Sequence, residues 1–91
     1  MSFTLIFTNA YKKRARKFSQ HHPELKEQYL KTLKLLELNP THPSLRLHPL
    51  KGKLSELHSV SINLSYRITL EFVITEKKII LINVGSHDQV Y

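Results

Sequence analysis

Histidine and arginine are the residues in this sequence whose types could do chemistry. The histidines are His21, His22, His42, His48, His58 and His87. Cysteine is absent, which excludes a thiol nucleophile, a cysteine-ligated metal and a disulfide framework. The histidine spacings contain no His-x-x-x-His pair of the kind that binds zinc from one helix face, so no metal is expected. Gly52 and Gly85 are the only glycines, too few for a P-loop, a dinucleotide fingerprint or a nucleophile elbow, so no cofactor is expected either. No pair of carboxylates suggests glycoside hydrolysis.

What remains is histidine and cation chemistry, and metal-free RNA cleavage needs those parts. A base takes the proton from the 2′-hydroxyl, a cation stabilises charge on the phosphate, and an acid protonates the departing 5′-oxygen. Histidine suits proton transfer because its pKa lies near working pH. Arginine suits the phosphate because its planar fork matches two oxygens. RNA supplies its own nucleophile. His48 falls in a polar loop beside Pro49, and His87 follows the last strand on a tail released by Gly85. Both are places where reactive groups are commonly mounted. Arg67 opens a strand on the face away from the core. Each also has a plainer reading. Loop histidines are often only solvated, and Arg67 could simply pair with Glu71. His21, His22 and His42 read as cap and linker residues, and His58 has no clear assignment.

Lys and Arg number 14 against 7 Asp and Glu, a net charge of +7 on 91 residues. Such a field attracts nucleic acid, acidic protein or anionic lipid without choosing among them. Lys12, Lys13, Arg14, Arg16 and Lys17 crowd one segment with no acid between them. Of these, Lys12, Lys13, Arg16 and Lys17, with Lys51 and Lys53 further on, are the candidates to track RNA phosphates. The same charges could form an ordinary solvated face. No apolar run is long enough for a bilayer, and the start does not resemble a signal peptide, so no membrane partner is expected and the protein should stay where it is made, in the cytoplasm.

The elements follow from periodicity. Phe3, Leu5 and Phe7 alternate with Thr4, Ile6 and Thr8, which predicts a strand. Thr8 or Asn9 can cap a helix whose apolar stripe is Tyr11, Ala15 and Phe18, interrupted over Ser19–Pro23. A second helix is expected from about Pro23 to Leu38, burying Leu25, Tyr29, Leu33 and Leu36 with Leu30 beside them. Pro40 and Pro43 end it, and a loop from Ser44 to Lys53 follows. Strands around Val60–Ile62, Tyr66–Ile74 and Ile79–Val84 complete the chain, with turns at Asn63–Ser65 and Thr75–Lys77. The order β-α-α-β-β-β predicts an α+β fold in one domain over residues 1–91. Its twisted, mostly antiparallel four-stranded sheet carries a helical hairpin on one face. If Ile68, Leu70, Ile82 and Val84 point into the core, Arg67, Glu71 and Asn83 point away from the helices. A bulge would reverse that parity.

In that order and spacing, His48-Pro49-Leu50-Lys51-Gly52, Ser65-Tyr66-Arg67-Ile68 and Val84-Gly85-Ser86-His87-Asp88-Gln89-Val90-Tyr91 resemble the RelE/ParE toxin superfamily. The ending is especially similar to its YafQ-like branch. The resemblance covers nearly the whole chain. It implies a ribosome-dependent endoribonuclease acting on mRNA. It also implies an acidic antitoxin that wraps the toxin in a hetero-oligomer. It places His48 and His87 in the active site, Tyr91 beside the substrate, and Arg67 against phosphate. Four family positions differ, one of them Tyr66, where a tryptophan is expected. Ser61 stands where a histidine is expected, Ser65 where an acid is, and Asn83 where an arginine is. Arg67 would replace the missing strand cation. Other outcomes the resemblance allows are a ParE-like inhibitor of DNA gyrase and a member that binds RNA without cutting it.

Overall fold

The computed structural model describes residues 2–50 and 57–86. In chain order the elements are β1 (Thr4–Phe7), α1 (Asn9–His21), α2 (Lys26–Leu38), β2 (His48–Pro49), β3 (His58–Ser61), β4 (Tyr66–Val73) and β5 (Lys78–Ser86). Short 3₁₀ turns at Pro23–Leu25, Pro43–Leu45 and Ile74–Glu76 join some of them. The α+β class and the helical pair are as expected. No described helix is long and apolar enough to cross a membrane.

Local chemistry explains the helix bounds. Thr8 is extended, and its Oγ1 accepts from the Tyr11 N–H at 3.1 Å, satisfying a donor that the first helical turn leaves open. The same hydroxyl donates to the Leu81 carbonyl at 3.2 Å, tying the helix start to β5. The expected interruption at Ser19 does not occur, because serine and glutamine are tolerated in a helix. α1 stops only at His22, which precedes Pro23 and leaves the helical region (φ −133°, ψ 60°). Asn39 before Pro40 ends α2 in the same way (φ −157°, ψ 84°).

The sheet has five strands, not four, in the order β1-β5-β4-β3-β2. The extra strand is β2, in what the sequence suggests is a loop: His48 pairs with Ser59 and Pro49 with His58. Proline is accommodated there because β2 is an edge. β1 runs parallel to β5, Thr4 opposite Lys78 through Phe7 opposite Leu81, so the sheet is mixed. The β3–β4 turn is held by Asn63, whose Oδ1 accepts from the Ser65 and Tyr66 N–H groups at 2.8 and 2.9 Å.

The core lies between the helices and one sheet face. Tyr11, Leu36, Leu45, Val60, Ile68, Leu70, Ile79 and Leu81 are buried in it. Burying each such side chain stabilises the fold by roughly 1.5–3 kcal/mol. Leu30, expected beside the buried stripe, is exposed. β4 and β5 stay in register except at one bulge. Thr69 faces Asn83 but Leu70 faces Leu81, leaving Ile82 as the extra residue. Leu81 therefore enters the core in place of Ile82, while Ile68, Leu70 and Val84 are buried as expected. Asn83, expected to point away from the helices, borders a groove beside α1.

Candidate functional site

The polar face of β2, β3 and β4 gathers the chemistry. His48 and Ser59 are paired neighbours across β2 and β3. Arg67 lies on β4 opposite Ser61, one step along the same face from Ser59. Its side chain reaches back diagonally, and Nε donates to the Ser59 hydroxyl at 2.9 Å. Nη2 donates to the Arg46 carbonyl at 3.0 Å and contacts His48 Nδ1 at 3.0 Å. Ser59 is fully buried, so this anchor is shielded from water. Arg46 ends the 3₁₀ turn in the left-handed region (φ 49°, ψ 48°), an unusual place for a side chain with a Cβ.

These contacts assign the His48 tautomer. A guanidinium only donates, so its contact with Nδ1 requires a lone pair on that nitrogen. Nδ1 also lies 3.2 Å from the Arg46 carbonyl, which would favour the opposite tautomer. That carbonyl already accepts from Arg67 Nη2, so the shorter contact decides. The ring proton therefore sits on Nε2, which is 3.5 Å from Ser59 Oγ.

Three neutral acceptors thus hold Arg67, and no carboxylate pairs with it among the described residues. The pairing with Glu71 that the sequence allows does not form. Nothing among the described residues accepts from Nη1, which leaves two N–H donors on one edge of the fork. A guanidinium fixed by neutral groups and offering spare donors is preorganised for an oxyanion.

The other histidines fall elsewhere. His42 caps the Pro43–Leu45 turn, its Nδ1 accepting from the Ser44 N–H at 3.1 Å. His58 sits on the core side with its ring 5.2 Å from that of Phe72, and its buried Nδ1 has no hydrogen-bond partner among the described residues. His22 stacks 4.5 Å from Tyr66 and faces Glu24 at 3.5 Å, while exposed His21 ends α1. Ser61 donates to the Asn63 carbonyl at 2.5 Å, turned toward its own loop. Lys12, Lys13, Arg16 and Lys17 are exposed on α1. His87, Tyr91, Lys51 and Lys53 lie outside the described residues. No group of three histidine or acidic side chains that could hold a metal is found among the described residues.

Two participants are not evident from the sequence. Ser59 had a weak signal, a small polar residue alternating with Val60 on the face beyond the core. Arg46 had none, because only its backbone takes part and no glycine marks the turn.

The sequence matches no protein-family model and no curated protein. Solved structures do match. YafQ from Escherichia coli superposes with a TM-score of 0.79 over 98% of each chain, at 13% identity. YafQ in the E. coli DinJ-YafQ toxin-antitoxin complex gives 0.78 over 100% of this chain and 99% of that one, at 15% identity. The fold is that of the RelE/ParE-like toxins. A YoeB/ParE toxin from Agrobacterium tumefaciens shares it with a TM-score of 0.73, over 93% of this chain and 99% of the other, at 16% identity. At these identities the common property is the RelE/ParE-like fold, with its helical pair against a mixed sheet, and function has to be argued from the residues.

Proposed function

We propose that this protein is the toxin of a toxin–antitoxin pair, an endoribonuclease that cuts mRNA on the ribosome by attack of the RNA's own 2′-hydroxyl. The observation that carries this reading is Arg67, held beside His48 by neutral acceptors with two donors to spare. The 2′-oxygen attacks the adjacent phosphorus and the bond to the 5′-oxygen breaks. The products are a 2′,3′-cyclic phosphate and a 5′-hydroxyl. Arg67 Nη1 donates to phosphate oxygens as charge builds on them, while His48 holds the guanidinium in place. Proton transfer then falls to His87, and Tyr91 stacks on a base. Lys12, Lys13, Arg16 and Lys17, with Lys51 and Lys53, add attraction for phosphates without sequence choice.

The partner that silences such a protein would be acidic, matching the +7 charge. A structural neighbour is known in a toxin-antitoxin complex, DinJ-YafQ.

The test is to add purified protein to stalled ribosomes carrying a defined mRNA and to map the new 5′ ends. Wild type should cut in the decoding site, and Arg67→Ala and His87→Ala should not. Intact mRNA with folded wild-type protein would overturn the nuclease reading. Inhibition of DNA gyrase by the same sample would then support the ParE-like alternative.

A further inference from the structure

We propose that the groove between α1 and the open edge of β5 is a phosphate-binding track for single-stranded RNA flanking the cut site, an inference that rests on the RNA reading above. The groove encloses about 310 Å³, at the small end of ligand sites. Arg14, Lys17, His21 and His22 line one wall, and Asn83 lies on the other. Arg14, Lys17 and His21 are spaced i, i+3 and i+7, so they share one helix face and span about 10 Å at 1.5 Å per residue. Lys17 has no ion pair or hydrogen bond among the described residues. No carboxylate lines the groove among the described residues, although Glu24 lies 3.5 Å from His22.

The groove exists because two strands differ in length. β1 ends at Phe7, opposite Leu81, while β5 continues to Ser86. Beyond Leu81 that edge has no strand neighbour among the described residues. An open edge usually invites a further strand. Here two groups of the edge are already taken: the Ile82 carbonyl accepts from Arg14 Nη1 at 2.9 Å, and the Val84 N–H donates to Asn83 Oδ1 at 2.9 Å. A peptide adding as a strand would have to break both bonds. The groove instead offers cationic side chains on a fixed wall, which suits phosphates.

Continuity with the site also favours RNA. Gly85 pairs with Arg67 across β4 and β5, and Asn83 pairs with Thr69. The Arg67 guanidinium itself turns towards Ser59 and His48, and Gly85 leaves the β5 position beside Arg67 without a side chain on the way from that site to the groove. Adjacent strands are about 4.8 Å apart, so the His48–Arg67 site over β2 and β3 and the groove at the β5 edge are up to three spacings, roughly 14 Å, apart, a span of a few nucleotides of one strand.

The experiment measures binding of a 2′-O-methyl oligoribonucleotide, which cannot be cut, by fluorescence anisotropy across a salt series. Wild type is compared with Lys17→Gln, Arg14→Gln/Lys17→Gln and Lys26→Gln/Lys34→Gln. The last pair removes the same charge from exposed positions on α2. The groove pair should weaken binding roughly tenfold and flatten the log–log salt slope by about 1.4, twice the single-strand value per phosphate. Lys17→Gln, which breaks no contact in the fold, should give about half that change in slope. The α2 pair should change the slope little. Equal losses in the two pairs would mean that net charge alone matters, and would overturn the proposal. So would a groove pair that loses affinity for fluorescent polyglutamate but keeps it for RNA. Groove-dependent RNA binding by a protein that leaves ribosomal mRNA intact would sink the nuclease reading and leave the groove standing.

Discussion

Arg67 donates to His48: Nη2 lies 3.0 Å from Nδ1, with the other end of the guanidinium anchored on buried Ser59. The contact fixes the ring's tautomer as well as its position. It brings together two residues 19 positions apart, on strands separated by a third.

The tautomer is directly measurable. Long-range ¹H–¹⁵N spectra should show the His48 proton on Nε2 in the wild type. In Arg67→Ala the preference should shift toward Nδ1–H, because the Arg46 carbonyl then becomes the nearest partner. A wild-type spectrum with Nδ1–H dominant would falsify the assignment.

Removing the guanidinium should cost about 10²–10³-fold in the rate of cleavage on ribosomes, as for loss of one preorganised oxyanion donor. Arg67→Lys should recover little of it. A lysine is a single point of charge and cannot serve Ser59, Arg46 and His48 while also presenting two donors. Full recovery by lysine would show that charge alone is needed.

Ser59→Ala should leave the fold intact and loosen Arg67. A lost hydrogen bond to a charged group costs about 1.5–3 kcal/mol, and partial exposure of Arg67 argues for the lower end. Urea titration reads the stability. Cleavage should fall less than in Arg67→Ala, and an unchanged rate would mean the serine does not position the arginine.

Arg46→Gly should be nearly neutral for cleavage, since only its carbonyl is used, and glycine accepts a φ of 49° without strain. Arg46→Val should destabilise the protein by about 1–2 kcal/mol, as expected for a Cβ forced into the left-handed region. Equal stability of the two variants would remove backbone strain from the account.

The helical pair is joined by Tyr11 and Tyr29, whose hydroxyls meet at 2.6 Å. Burial, and then the neighbouring Tyr29, push the Tyr11 pKa far above its usual value, and burial raises that of Tyr29 as well. In the unfolded chain Tyr11 ionises near pH ~10. Above that pH the unfolded state binds fewer protons than the folded state, so stability falls as pH rises. Below it this contribution is fully present. Urea midpoints between about pH 8 and 11 should drop for wild type and drop less for Tyr11→Phe. Parallel curves would refute the coupling.

Much of the fold was legible because it is local. Thr8 as a cap, the stripe of Tyr11 and Phe18, and the prolines after His22 and Asn39 act within a few residues. Alternation identified β3 to β5 and placed Arg67 opposite Ile68. His48 and Arg67 were recognisable as chemistry by type, but the sequence did not pair them; their contact comes from the structure. The tertiary structure decided what depends on distant chain segments meeting. Parallel pairing of β1 with β5 joins residues more than 70 positions apart, and no local signal sets that neighbour. The bulge that puts Leu81 rather than Ile82 in the core depends on how β4 and β5 close together. The site itself belongs to the same class. Ser59, the Arg46 carbonyl and His48 become one cradle for Arg67 only after three strands are in register, because side-chain direction alternates every residue and a shift of one would turn them apart.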